Sequence, residues 1–308
     1  MYREKIPGRQ LGLWLFAAMV PVGLQLLSGS SWLWVACGGF VSLAISWVLW
    51  KRPQERSCCE CIFLFIYVVI LMGSVLSEVA DSWPVGNSDP AVPLIVLALA
   101  AWSAQKGSGA AARVGAVLFW VVLGLYLVVM AAGIKNVKPQ WLLPEKKQPG
   151  IRGCWIFLLP WAVAALVKPR TQIKAHGLLW LGFLCAGTAL TVGVLSPQMA
   201  GQMSNVFYEM GRSLDLFGIA QRFEALICAG ATMGWFAFMS LNLTLCGTTF
   251  ERIFPKKGSW GVWAAAVGAL LWRLCGLHIN DGMLLALGAV FWVAMPLLTQ
   301  GLEKRKKS

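Results

Sequence analysis

A chain of 308 residues that is 58% hydrophobic and only 13% charged, with a mean hydropathy of +0.69, has too little polar surface to cover a soluble globule. Its net charge of +13 is spread over short segments between apolar blocks and a basic tail, EKRKKS. That placement sets topology and attracts anionic lipid, and it gives no reason to expect nucleic acid as a partner.

Charged residues cut the chain into uncharged blocks at 10–50, 61–77, 90–105, 114–134, 153–167, 175–208, 225–250, 258–272 and 282–302. A helix needs roughly 17–25 apolar residues to cross a hydrocarbon core of about 30 Å. The first block is about twice that length and is divided by SGSS at 28–31, so the pattern predicts ten helical spans. The blocks lack the two-residue alternation of a barrel, which leaves helices as the structure that satisfies its backbone in lipid. The fold class expected is an all-α integral membrane protein with one polytopic domain over 1–308.

Span one, LGLWLFAAMVPVGLQLL, holds Met19, Pro21 and Gly23 near its middle, and it is read as a span and not as a signal peptide. Proline removes a backbone donor, so Pro21 is expected to break the helix and free main-chain groups for a ligand. Between spans two and three, Cys58, Cys59 and Cys61 crowd together, but neither His176 nor His278 is placed to complete a zinc site, and no metal is expected. Span three carries Tyr67 as its polar aromatic, with Glu78 and Asp81 toward the exterior end.

With a cytoplasmic N terminus, the inside segments hold Arg3, Lys5, Arg9, Lys51, Arg52, Arg56, Lys106, Arg113, Lys168, Arg170, Lys174, Arg252, Lys256, Lys257 and the tail. These are most of the chain's 26 basic residues, as positive-inside placement requires. The loop after span five opposes the rule with Lys135, Lys138, Lys146, Lys147 and Arg152, and it is expected to be an unusual basic exterior loop. Trp32, Trp50, Trp83, Trp141 and Trp260 fall at predicted span ends, where an interfacial belt places them.

Span six repeats the interruption of span one, with Phe157 and Pro160 in GCWIFLLPWAVAALV. Spans one and six are matching members of two five-span halves, about 8–134 and 150–300. Five is odd, so the second half enters from the opposite side, the plan in which broken helices one and six of inverted repeats meet at a midplane site. In span eight Thr232, Phe236 and Ser240 recur every fourth residue on one stripe, while Gly230 and Gly234 make a face for close packing. The ligand-binding set expected is therefore Met19, Pro21, Gly23, Tyr67, Phe157, Pro160, Thr232, Phe236 and Ser240.

Between spans seven and eight, Val206, Phe207, Met210 and Leu214 repeat at helical spacing, which predicts a short amphipathic helix at the exterior interface. On its polar side Glu209 and Arg212, and Arg212 and Asp215, are three apart and can pair. Arg222 and Glu224 open span eight and face different directions. Glu209, Arg212, Arg222 and Glu224 are expected at a gate or partner contact. No Gly-rich phosphate loop, HExxH or nucleophile elbow occurs, so neither enzyme activity nor a cofactor is expected.

The run FYEMGRS at 207–213, followed by Arg222, Glu224, Ala225 and Leu226, resembles the amino-acid permease-like B subunits of spore germinant receptors, a family related to the amino acid, polyamine and organocation transporters. KIPGRQL at 5–11, Trp32, and Gly107 with Arg113 agree with it in order. The loop between the first two spans is shorter than in that family, and span six lacks a glycine- and aromatic-rich centre. The resemblance implies a ten-span subunit of the spore inner membrane that senses a small nutrient such as an amino acid, beside a larger membrane subunit and a lipoprotein. Two alternatives stand beside it. One is an amino-acid transporter, coupled to sodium through Ser240 and span one or to protons through Glu224 or Glu78. The other is a non-transporting structural subunit of a membrane complex.

Overall fold

The computed structural model describes residues 6–27, 30–50, 58–81, 91–142, 154–160, 173–203, 206–214, 223–277 and 279–294. The first half forms α1 (Gly8–Leu27), α2 (Trp32–Trp50), α3 (Cys58–Asp81), α4 (Ala91–Gln105) and α5 (Ser108–Ile134). The second forms α6 (Ile173–Leu195), α7 (Pro197–Gln202), α8 (Val206–Ser213), α9 (Phe223–Ile253), α10 (Gly258–Leu274) and α11 (Asp281–Ala289), which ends in a π turn, Val290–Ala294. Every predicted span except the sixth is thus a helix. Span six is described at a 3₁₀ turn, Cys154–Leu158, that leads into helix at Leu159 and Pro160.

Five of these helices are long and apolar enough to cross a bilayer: Gly8–Leu27, Glu60–Ser77, Ser108–Ile134, Gly177–Leu195 and Ala225–Ile253. Trp32–Trp47, Ala91–Gln105 and Asp281–Trp292 are shorter apolar helices. Helix boundaries follow local chemistry. Gly107 has φ 103°, a conformation that glycine adopts without strain, and it reverses the chain between α4 and α5. Ser196 has φ 76° and precedes Pro197, so α6 stops at Leu195 and the apolar block 175–208 does not continue as one span.

α1 is the central element. It packs on α9, α5 and α6, and almost all of its residues from Leu11 to Leu27 are buried. Trp14 fixes its lower half: the ring fills the space above Gly115 of α5, and Nε1 donates to the Ala237 carbonyl of α9 at 3.2 Å. α1 runs as helix through Pro21, so the expected interruption takes the form of a proline held inside a continuous helix. The Ala17 carbonyl loses its donor, but Gly234 of α9 leaves a notch that the proline ring occupies, and packing on every side keeps the turn wound.

Several helix pairings repeat when each span is exchanged for the one five places along. α4 packs on α9 as α10 packs on α3, α1 packs on α5 as the span-six turn packs on α11, and α2 packs on its own counterpart α6. These matched pairings are the ones that a twofold repeat of odd span number would produce. Outward faces carry Trp34, Trp120 and Trp260, large apolar side chains suited to lipid.

The described start of the basic loop after α5, residues 135–142, falls on the face opposite the N terminus. Lys138 N–H donates to the Gly193 carbonyl at the end of α6 at 2.8 Å, and Trp32 Nε1, at the start of α2, donates to the Leu142 carbonyl at 2.9 Å. Lys135 and Lys138 therefore share the face away from the N terminus, while Lys146, Lys147 and Arg152 lie outside the described residues. Lys138 sets its ammonium 4.2 Å from the centre of the Trp141 ring, which favours the charge at an interface.

Candidate functional site

A narrow cleft lies on the side of the bundle away from the N terminus, between the C-terminal ends of α1 and α3 and the N-terminal ends of α4 and α9. It is lined by Gln25, Val79, Val92, Val96, Cys228, Ala231, Thr232 and Trp235. Its free interior is about 10 Å³, room for about one water. Its α9 wall follows from helical spacing, since Cys228, Ala231, Thr232 and Trp235 advance by three, one and three residues and stay on one face.

Two polar groups are oriented there. Trp235 Nε1 donates to Gln25 Oε1 at 2.6 Å, and both side chains are buried. Indole is a donor only, so the Gln25 oxygen must face it and the Nε2 hydrogens are left over. Thr232 Oγ1 donates to the Cys228 carbonyl at 2.8 Å, which spends its proton and leaves oxygen lone pairs. The remaining lining is aliphatic, and among the described residues none that lines the pocket is charged.

The residues expected to bind ligand divide into four groups. Thr232 lines the pocket. Met19, Pro21 and Gly23 are buried in the contacts of α1: Pro21 lies against Gly234, and Gly23 against Leu184 of α6. Tyr67, Phe157 and Pro160 are buried on another side, around the span-six turn. Tyr67 Oη donates to the Leu284 carbonyl at 3.3 Å, and Ser42 Oγ donates to the Phe157 carbonyl. Tyr67 and the pocket residue Val79 both lie on α3, twelve residues or about 18 Å apart along the axis.

The other two members of the α9 stripe do not line the pocket. Each four-residue step turns the helix by about 40° beyond a full turn, so Phe236 is half-buried elsewhere and Ser240 points into packed helix. Ser240 Oγ donates to the Ala237 carbonyl at 3.0 Å, and Thr244 Oγ1 donates to the Ser240 carbonyl at 2.7 Å. The α9 hydroxyls therefore bond their own helix, a common fate of Ser and Thr in apolar surroundings. Gly230 and Gly234 form the predicted packing face, receiving Tyr126 of α5 and Pro21 of α1.

Sequence reasoning missed Gln25 and Trp235. The signal was present in span one, where Gln25 stands in a long uncharged block four residues after Pro21. Trp235 was one of 17 tryptophans, and nothing local separated it from the interfacial ones.

Above the bundle, the predicted amphipathic helix is α8. Its Val206, Phe207 and Met210 are buried, Leu214 just beyond it is buried too, and Glu209 is half-buried while Arg212 is exposed. Phe207 stacks on Tyr126 with ring centroids 5.4 Å apart, and Gly211 admits Ile227 of α9. α8 contacts α9, α6, α1 and α5, so it caps the ends of the central helices. No ion pair joins Glu209 to Arg212, in keeping with the small gain that such pairs bring in water. Arg222 and Asp215 lie outside the described residues; Glu224 stands in the first turn of α9, with its side chain likewise outside them.

No family model matches the sequence, and no curated protein is significantly similar to it. The structure is similar to that of a Na+-coupled sialic acid symporter solved in a substrate-bound, outward-open state, with a TM-score of 0.65 and 9% sequence identity over 94% of this chain and 78% of that one. The chain has that symporter's fold. It is an all-α integral membrane protein, and the cleft bordered by α1 and α9 lies on its side away from the N terminus.

Proposed function

We propose that the protein binds a small nutrient at the α1–α9 pocket and signals as a membrane subunit of a spore germinant receptor. The observation that carries this reading is the 207–213 motif folded as α8, which covers the ends of α1, α5 and α9 beside the pocket. A helix packed in this way is positioned to feel a change in α1 or α9 and to pass it to a partner through Glu209 and Arg212. A larger membrane subunit and a lipoprotein are the partners that the motif implies.

A second reading, solute transport, is favoured by the likeness to a symporter. The two separate in one comparison. Spores carrying Gln25→Leu or Thr232→Val, with protein level unchanged, should need more nutrient to germinate, and purified protein in liposomes should take up no solute unaided. Strong uptake by the chain alone, with germination unaffected by the variants, would replace sensing with transport.

A further inference from the structure

We infer that the corner where α4 ends and α10 begins, on the N-terminal face, is a docking surface for the phosphate headgroup of an anionic phospholipid. Two side-chain stripes meet there. Trp102 of α4 and Lys106, just past its end, are four residues apart on one side of the helix, with the Lys106 ammonium 5.8 Å from the centre of the Trp102 ring. On α10, Lys257, Trp260 and Trp263 advance by threes along another stripe. Trp263 Nε1 donates to Gln105 Oε1 at 2.8 Å, which holds the two stripes together beside Lys106.

Lys106, Lys256 and Lys257 are exposed, and so are the three tryptophans. Indoles settle at the level of lipid headgroups, which puts the neighbouring ammonium groups at the depth of lipid phosphate. α10 opens with no acid in its first turn and with Lys257 as its cap residue. The positive end of the helix dipole therefore adds to the two lysines, and an anion relieves that crowding of like charge. The acid nearest in the chain, Glu251 in the last turn of α9, is only part-exposed and has one carboxylate oxygen buried, while Arg252 beside it adds a further positive charge.

The backbone at Lys256 points the same way. Lys257 N–H donates to the Phe254 carbonyl at 3.1 Å, closing a turn with Pro255 second and Lys256 third, and Lys256 has φ 69°. A third turn residue with positive φ is ordinarily glycine. Here the chain holds a lysine in a strained conformation and thereby sets a cation at the interface.

The test titrates phosphatidylglycerol or phosphatidylcholine into the purified full-length protein in one detergent and reads bound lipid by native mass spectrometry. The parent should prefer phosphatidylglycerol. Lys106→Gln with Lys257→Gln should lower that preference by more than about tenfold, at roughly fivefold per lysine. Lys135→Gln with Lys138→Gln, an equal change of charge on the opposite face, should lower it far less. Lys256→Gly separates headgroup contact from folding: it should hold or raise the melting temperature by relieving the backbone, yet lower the preference about fivefold. Equal preference for the two lipids in the parent overturns the surface as a headgroup site. Equal losses from the two double variants reduce the effect to net charge and overturn it too. Displacement of phosphatidylglycerol by excess free glycerol phosphate overturns the lipid in favour of a soluble phosphate compound.

Discussion

Trp235 of α9 and Gln25 of α1 are joined by a 2.6 Å hydrogen bond from the indole Nε1 to the Gln25 Oε1, across the exterior half of the two most central helices. Trp235 also meets Phe238 edge-to-face, with centroids 6.1 Å apart, and Phe238 meets Trp155 of the span-six turn at 5.5 Å. Trp155 Nε1 in turn donates to Asp281 Oδ1 at the start of α11, at 3.1 Å. The pocket wall is thereby in packed contact with the second interrupted span.

Trp235→Phe removes the buried donor and should lower stability by about 1–2 kcal/mol, because a buried hydrogen bond is lost and the Gln25 oxygen is left without its partner. Gln25→Leu should cost less in the Trp235→Phe background than in the parent, giving a coupling of about 1 kcal/mol in a double-mutant cycle. Melting temperatures of the four proteins in one detergent check this.

Gly115→Ala should be strongly destabilising, by about 1–3 kcal/mol, since a methyl there would run into the Trp14 ring that fastens α1 to α5. Gly234→Ala should behave alike, its methyl meeting Pro21. Gly124→Ala on the same helix as Gly115 meets nothing within 4 Å and should be neutral or stabilising by up to about 1 kcal/mol. Thermal melts of the three variants, with expression level as a second readout, separate these outcomes.

Tyr126 is buried beneath Phe207, and its hydroxyl has no hydrogen-bond partner among the described residues. Tyr126→Phe keeps the ring stack and removes an unsatisfied polar atom, so it should raise stability by about 1 kcal/mol. A loss of stability on this substitution would mean that the hydroxyl holds a bound water or solute.

Cysteines placed at Lys138 and Lys256 should label from opposite sides of the membrane. Lys138 bonds the end of α6 on the face away from the N terminus, and Lys256 follows α9 on the N-terminal face. Labelling of intact cells with an impermeant maleimide, scored against the parent chain, should modify Lys138→Cys and spare Lys256→Cys. Equal labelling would contradict the inverted arrangement.

The spans were legible because what makes them is local. A run of apolar residues of bilayer length must be helical whatever surrounds it, and Gly107, Ser196 and Pro197 mark ends through their own backbone chemistry. α8 was legible in the same way, from the spacing of Val206, Phe207 and Met210. Pro21 was legible as a proline but not as a continuous turn of helix, because whether a proline unwinds a helix depends on the neighbours that hold it, here Gly234.

By itself, the sequence determined a membrane protein of ten apolar segments and the amphipathic helix between the seventh and eighth. The tertiary structure alone decided which residues share a cavity. Gln25 and Trp235 are 210 positions apart, and Tyr67, Phe157 and Pro160 are packed around another turn. In a chain so apolar, core and binding residues have the same composition, and only the gap left where α1, α3, α4 and α9 converge distinguishes them.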